Sequence, residues 1–571
     1  MKETLIDIET YSEVDIGKCG LYRYATDPSF EILLVAWATD EGDGFGETRC
    51  ADLASGEPLP EELLEDFKSG NVRLIAHNAS FERVCFSVHL QRHLPGQYLK
   101  PGEFLSPDSW ICTMVMAASL TLPMALKDVG TVLKTSQQKD KEGERLIRMF
   151  SMPCKPTKSN GMRTRNLPEH YPADWEKFKY YCIQDVNTEV DIYKRLKKFP
   201  MPEQEWKHYR VNERINDRGV KIDTELVQQA IACDLMLSDA MSKKAYELTG
   251  LENPNSVSQL KSWLDERGIP MDTLGKKDVA QMIAELDKNG VDAEAMDMLK
   301  LRLQMAKSSV KKYQAAERCV CSDGRARGLF QFYGASRTGR YSGRNIQLQN
   351  LPQNHISTLD EARELVKLGC FDMVETIYGN TPDVLSQLIR TMLIPKEGCE
   401  FIVADFSAIE ARVLAWEAGE EWRLEAFLEG KDIYCASASQ MFHVPVVKHG
   451  INGELRQKGK VAELACGYGG SSGALISMGA LQMGLKEEEL PEIIDSWREA
   501  NPKIVQYWWD VEKAATQAFK TGKRQEIGKL AFEFYSGTLW MLLPSGRKLV
   551  YLKPRLQPNR FGRMSLTYEG V

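Results

Sequence analysis

At 571 residues, 43% apolar and 27% charged, the chain exceeds what one hydrophobic core holds and reads as two to four folded domains, not a disordered polymer. The longest apolar runs, such as ILLVAWA, are too short for a bilayer, and MKETLIDIET has no basic region before an apolar core, so a soluble, unexported, cytoplasmic protein with no membrane partner is expected. Thirteen cysteines without a repeated CxxC or a nearby His pair fit reduced thiols better than disulfides or zinc, and a net charge of -7 argues against nucleic acid only if the charge is evenly spread.

In chain order, the first 195 or so residues alternate short apolar runs (TLIDIE, EILLVAWA, VRLIAHN) with helical stretches, the pattern of a mixed α/β unit. In LIDIET the acids Asp7 and Glu9 are two apart, so on a strand they share a face with Leu5 while Ile6 and Ile8 take the other. Two like charges on one face suit either a solvated edge or a divalent cation. LIAHNASFERVCF places Asn78, Phe81 and Glu82 directly after an apolar strand. YYCIQDVNTEVDIY places Tyr181 and Asp185 four apart on one face of a helix.

These three segments resemble, in order and type, the motifs of the DnaQ-like proofreading 3′–5′ exonucleases. The resemblance implies that Asp7, Glu9, Glu82 and Asp185 hold two divalent ions, Mg²⁺ or Mn²⁺, and that Tyr181 orients the attacking water. The family usually has Asp where this chain has Glu82, which bears on the nuclease rate.

Pro200 and Pro202 in KKFPMPEQEW mark a linker, and residues 203 to about 335 read as long, polar and helical without strand signals. Residues 300–350 hold eleven Lys or Arg against Glu317 and Asp323, a local excess of nine that includes Lys307, Lys311, Lys312, Arg337, Arg340 and Arg344. That excess fits a polyanion contact, because GASRTGRYSGRN is loop-like and not a solvated helix face. The helical stretch HISTLDEARELVKLGCFDMVETIYGNTPDVL has no assignable role.

Strands are expected again around Phe401, where FIVADFSAIEARVLAW places Asp405 at the end of an apolar run and then turns amphipathic. Ser407-x-x-Glu410 has the form of a capping box. Downstream, Arg456, Lys460, Leu464 and Tyr468 fall at four-residue steps, a stripe of two cations, an apolar group and an aromatic. On an isolated helix such a stripe is a core seam flanked by solvated cations.

TGRYS with LQNLP, ADFSAIEAR and RQKGKVAELACGYGG resemble family A DNA polymerases, the group of bacterial DNA polymerase I and many phage replicases, and with the exonuclease motifs the resemblance covers nearly the whole chain. It implies an α/β plus α+β multidomain fold, a ribonuclease H-like exonuclease followed by a right-hand polymerase. The implied bounds are 1–198 exonuclease, 203–335 helical connector and thumb, 336–415 first part of the palm, 416–535 fingers and 536–571 further palm strands. It implies primer-template DNA, single-stranded 3′ ends and dNTPs as partners, and two divalent ions at each active site. Asp405 would hold the polymerase ions. Arg456 and Lys460 would hold the nucleotide phosphates, and Leu464 and Tyr468 would border the nascent base pair beside Phe406. Glu410 would be the gate against a ribose 2′-OH, and Tyr434 stands where bacterial enzymes carry a His phosphate contact. Arg337, Arg340, Arg344, Gln349, Asn350, Lys311 and Lys312 would contact DNA. The family usually has Phe or Tyr where this chain has Leu464.

The family's palm also uses a second Asp in a His-Asp-Glu turn after motif B, and no His follows Tyr468. TLWMLLPSGRKLVYL reads as strand, turn and strand, and RMSLTYEGV as a further strand reaching a Glu-Gly turn. The expectation is a sequence cut short of its palm, completed by a separate C-terminal polypeptide, or interrupted in frame, or acting alone as a DNA-bound 3′–5′ exonuclease. A pure binding protein is the remaining reading if Glu82 abolishes cleavage.

Overall fold

In the computed structural model, which describes all residues except 136–140, 290–291, 306–309, 482, 484, 560–561 and 570–571, the first apolar runs pair into one mixed sheet. Its strands β1 (Lys2–Tyr11), β2 (Glu31–Asp40), β3 (Arg49–Asp52), β4 (Val72–Ala76) and β5 (Trp110–Cys112) lie in the order β3-β2-β1-β4-β5. β1 is central, antiparallel to β2 and parallel to β4. β1 is covered on both faces and buried at eight of its ten residues, the polar Glu3, Thr4, Glu9 and Thr10 among them beside Leu5, Ile6, Ile8 and Tyr11. Its pairing with β2 shifts by one residue between Glu9 and Thr10, an irregularity of the kind that re-aims side chains. The Ser80–His93 and Pro172–Leu196 helices pack on this sheet.

The proline pair ends one helix and starts the next: Pro172–Leu196 stops short of it and Pro202 caps Glu203–Arg218. The following helices, from Thr224–Thr249 to Lys311–Cys319, match the helical reading of 203–335. That reading missed strands, however. β6 (Val220–Ile222), β7 (Arg325–Ala326) and β8 (Phe330–Ala335) fall inside it, before β9 (Arg340–Gly343) and β10 (Leu393–Ile394). β10, β6 and β7 form a small sheet, and β8 and β9 a hairpin. β6 and β7, of three and two residues, leave no alternation to detect, and in the six-residue β8 (FQFYGA) the apolar residues do not alternate strictly. Lys307 of the basic cluster lies outside the described residues.

The stretch of unassigned role forms helices Leu359–Lys367, Phe371–Tyr378 and Thr381–Leu388. Their Ala362, Val366, Val374 and Leu385 share a core with Leu226 and Ala230 of the Thr224–Thr249 helix, so this segment is part of the scaffold.

Met1–Ala118 with Pro123–Glu400 forms one compact unit, and Ser119–Leu122 with Phe401–Val571 a second. The second is built on the helices Ile409–Ala418, Glu421–Leu428, Ile433–Phe442, Leu455–Cys466, Leu490–Ala500 and Pro502–Thr521, with Val461, Leu475, Ile493, Trp497 and Ile504 at its core. An antiparallel meander follows in sequence order: β11 (Gln525–Ile527), β12 (Leu530–Tyr535), β13 (Thr538–Leu542), β14 (Lys548–Pro558) and β15 (Met564–Glu569). Ser536 and Gly537 join β12 to β13 with φ of 51° and 72°, the two left-handed residues of a tight hairpin. The strand–turn–strand expected from TLWMLLPSGRKLVYL is β13 to β14, and RMSLTYEGV supplies β15; its Glu-Gly turn falls on Gly570, outside the described residues.

The strand expected around Phe401 does not form. Residues 401–406 carry no regular structure, with Ile402 91% and Val403 90% exposed. An apolar run becomes a strand only where a neighbour closes its backbone ladder, and no described strand pairs with it. No helix among the described residues is long and apolar enough to cross a membrane.

Candidate functional site

In the first unit, three elements bring acids together. Asp7 and Glu9 project from one face of β1, as their spacing of two requires, and Asp185 comes from the Pro172–Leu196 helix packed on that sheet. One carboxylate oxygen from each lies within 4.8 Å of the others. Glu82 enters from the first turn of the Ser80–His93 helix, after Asn78 has turned the chain with a φ of 74°. It is 3% exposed, and its Oε2 has no hydrogen-bond partner. Burial, reinforced by the Asp7 carboxylate, pushes the Glu82 carboxyl well above the usual range.

A buried carboxylate oxygen without a donor, beside three converging carboxylates, costs free energy unless a cation compensates it. All-oxygen donors suit a hard divalent ion. Asp7, Glu9 and Asp185 therefore fit the metal site that the exonuclease motifs imply, whereas Glu82, close enough for Asp7 to raise its pKa, lies outside that group of three.

The sequence reading overlooked two neighbours. Glu189, one helical turn beyond Asp185 and 1% exposed, accepts from Thr113 Oγ1 at 2.9 Å; burial and then Asp7 push it well above the usual range. Its signal was available, since i and i+4 share a helix face. Cys182 sits with its Sγ 3.7 Å from Asp7 Oδ2.

Tyr181 is buried beside these acids; burial, then Asp185, push its phenol far above the usual range, so the hydroxyl stays protonated. Gly143 in the Lys141–Phe150 helix leaves room for the ring: a Cβ there would stand 2.0 Å from Tyr181 Cε2. Gly143→Ala is expected to displace the ring, changing the near-ultraviolet circular dichroism of the buried tyrosine with little change in the far-ultraviolet signal of secondary structure.

The same unit carries the basic loop. Arg340 lies on β9 and Arg337 in the turn before it; both are exposed, as are Arg344, Gln349, Asn350 and Lys311. Lys312 departs from expectation: its Nζ donates to the Ile346 carbonyl at 2.9 Å, and burial lowers its pKa, so its charge is engaged within the fold.

The second unit carries the other two polymerase-like segments, ADFSAIEAR and RQKGKVAELACGYGG. Asp405 and Phe406 sit on the exposed segment before the Ile409–Ala418 helix and not on a strand. The capping box is not formed, because the helix is capped by Ala408 at a φ of 51° with no side-chain bond. Glu410 instead lines a cavity of about 680 Å³ together with Tyr434, Leu464, Tyr468 and Tyr507. Arg456, Lys460 and Leu464 ride the Leu455–Cys466 helix, whereas Tyr468 lies just past its end and is exposed. Arg456 is held by Asp432 (3.0 and 2.8 Å) and lies 5.1 Å from the Tyr434 ring centre.

Beneath this cavity is a buried pair that the sequence reading also missed. Arg423 grips Glu463 through both terminal nitrogens (2.7 and 2.5 Å), and Glu463 Oε1 accepts further from Ser437 (2.8 Å) and Trp497 (2.8 Å). Three helices are thereby pinned to the one carrying Lys460 and Leu464.

Comparison with known proteins identifies the family of the chain. The profile of DNA polymerase family A matches residues 229–527. The chain is 53% identical over 572 residues to a DNA polymerase of Bacillus phage SP02, covering all of this chain and 85% of that one. It is 27% identical over 303 residues to DNA polymerase I of Geobacillus stearothermophilus, covering 52% of this chain and 31% of the relative. Among solved structures, the POL domain of Pol1 from M. smegmatis in complex with DNA primer-template and dNTP superposes with a TM-score of 0.56 at 17% identity, over 96% of this chain and 77% of that one, a likeness of fold. The chain belongs to DNA polymerase family A.

Proposed function

We propose that the protein is a template-directed DNA polymerase whose first unit carries a 3′–5′ proofreading exonuclease serving phage-type replication. One observation carries the nuclease: three carboxylates from two elements converge within 4.8 Å beside the orphaned oxygen of Glu82. Family A DNA polymerases use divalent metal ions. Mg²⁺ or Mn²⁺, two ions at each site, would be held by Asp7, Glu9, Glu82 and Asp185 in the first unit and by Asp405 in the second. When bound, they would supply Lewis-acid activation of the nucleophile and neutralise charge at the phosphate.

The chain's own groups do the rest. Tyr181, kept protonated by burial and Asp185, donates to and orients the attacking water. In the second unit, Lys460 and Arg456 hold the nucleotide phosphates, Arg456 by exchanging its contact with Asp432. Leu464 and Tyr468 flank the base pair, Tyr434 supports Arg456, and Phe406 borders the sugar. Glu410, lining the same cavity, excludes a 2′-hydroxyl. The exposed Arg337, Arg340, Arg344, Gln349, Asn350 and Lys311 track primer-template phosphates. Residues 1–198 act as the nuclease, 203–335 as connector and thumb, 336–415 and 536–571 as palm segments, and 416–535 as fingers.

Glu410→Ala is expected to raise ribonucleotide incorporation relative to deoxyribonucleotide by roughly tenfold, read by single-nucleotide extension. Unchanged discrimination would remove the gate.

A second reading is favoured by a difference between the units. The acids of the first unit cluster, whereas Asp405 belongs to no such cluster among the described residues. A primer-template with a mismatched 3′ end separates the two. Shortening without dNTPs and extension with them supports the polymerase with proofreading; shortening alone supports a stand-alone DNA-bound nuclease; neither contradicts both.

A further inference from the structure

We propose that Arg83 is a positioning residue for Glu82, fixed by the buried Glu213 and the partly buried Asp217 on the Glu203–Arg218 helix; the inference rests on the nuclease reading above. Arg83 follows Glu82 in the first turn of the Ser80–His93 helix and is 1% exposed. Its guanidinium donates to Asp217 through both terminal nitrogens (2.9 and 2.8 Å), to Glu213 (3.0 Å) and to the Leu105 carbonyl (2.9 Å). Tyr22 adds a bond to Asp217 (2.7 Å), and Ser80 (2.7 Å) and Asn212 (3.1 Å) add bonds to Glu213. All four carboxylate oxygens of the pair thus accept at least one bond.

A planar guanidinium engaged by two carboxylates fixes direction as well as distance. It therefore sets both the height and the roll of the helical turn that carries Glu82. Metal ligands tolerate only tenths of an ångström of error, so this turn is where a small rotation would be felt.

The carboxylate pair cannot drift to follow Arg83, because its helix is anchored on the basic hairpin as well. Asn216 exchanges two hydrogen bonds with the Phe330 backbone (2.8 and 3.1 Å), and Tyr209 meets Phe332 edge-on at 5.9 Å. The β8–β9 hairpin bearing Arg340 and the nuclease turn bearing Glu82 are held by one helix.

The test uses the full chain without DNA. Mn²⁺ is titrated by electron paramagnetic resonance in wild type, Asp7→Ala, Arg83→Lys and Asp217→Asn, followed by cleavage of a 3′-labelled single strand across Mn²⁺ concentrations. The expected result is a roughly fivefold to tenfold rise in Mn²⁺ half-saturation in Arg83→Lys and Asp217→Asn, with most of the cleavage rate restored at excess Mn²⁺. A misfolded fraction lowers the amount of active enzyme without moving half-saturation. If Arg83→Lys does not fold, Asp217→Asn, whose side chain is 16% exposed, carries the test. Unchanged half-saturation in variants with wild-type circular dichroism and melting overturns the proposal. A wild type that binds Mn²⁺ through Asp7 but cleaves nothing contradicts the nuclease reading alone, and half-saturation still decides Arg83. A wild type that binds no Mn²⁺ overturns both.

Discussion

Replacing Arg423 by methionine is expected to loosen the second unit by about 3–5 kcal/mol, the usual consequence of leaving one member of a buried ion pair without its partner. Glu463 would keep Ser437 and Trp497 as donors, yet its side chain, 5% exposed, would lose the cation that pairs with it among the described residues. Because the chain has two compact units, a single global unfolding free energy is not well defined, and local hydrogen exchange is the better probe. Exchange over Leu455–Cys466 and Leu490–Ala500 should accelerate by roughly a hundredfold to several thousandfold. Removing both charges, in Arg423→Met with Glu463→Met, should recover much of that loss, since two apolar groups of similar volume leave no orphaned charge. A double variant as labile as the single one would show that the helices are held by something other than this pair.

Asp185→Asn should act in opposite directions on stability and activity. Cleavage of a 3′-labelled strand in Mg²⁺ is expected to fall by at least about a hundredfold, more than second-layer substitutions at metal sites cost. Stability without divalent ions should rise. Asp7, Glu9 and Asp185 bring like charges within 4.8 Å, and neutralising one relieves their repulsion. A site that costs stability when empty and needs every charge when loaded is the signature of function over packing. Melting temperatures with and without Mg²⁺, beside cleavage rates, check both signs. A variant that is less stable without metal would mean that Asp185 is structural.

The legible parts of this fold were those governed by local periodicity. The two-residue spacing of Asp7 and Glu9 on β1, the four-residue step from Tyr181 to Asp185 and the proline break before Glu203 each follow from backbone geometry, and each appears where the spacing puts it. The C-terminal strands were legible for the same reason, through alternation and turn chemistry. What escaped depends on partners distant in sequence. The strand foreseen at Phe401 needs a neighbour, and its own apolarity cannot supply one. The Arg423–Glu463 pair joins residues 40 apart, and Arg83 meets Glu213 across 130, so neither leaves a motif. Ser407 and Glu410 matched a capping pattern, but the chain entered its helix one residue later, through Ala408. Glu189 was overlooked although its spacing from Asp185 was readable, because one acid on a helix is ordinarily a solvated one.

The most direct test of the account is the wild-type chain with a single-stranded oligonucleotide labelled at its 5′ end, in Mg²⁺ and in excess chelator. The carboxylates gathered around Asp7 predict stepwise shortening from the 3′ end in Mg²⁺, none in chelator and none by Asp7→Ala in either. An oligonucleotide that stays intact in Mg²⁺, or shortens equally with Asp7→Ala, would contradict it.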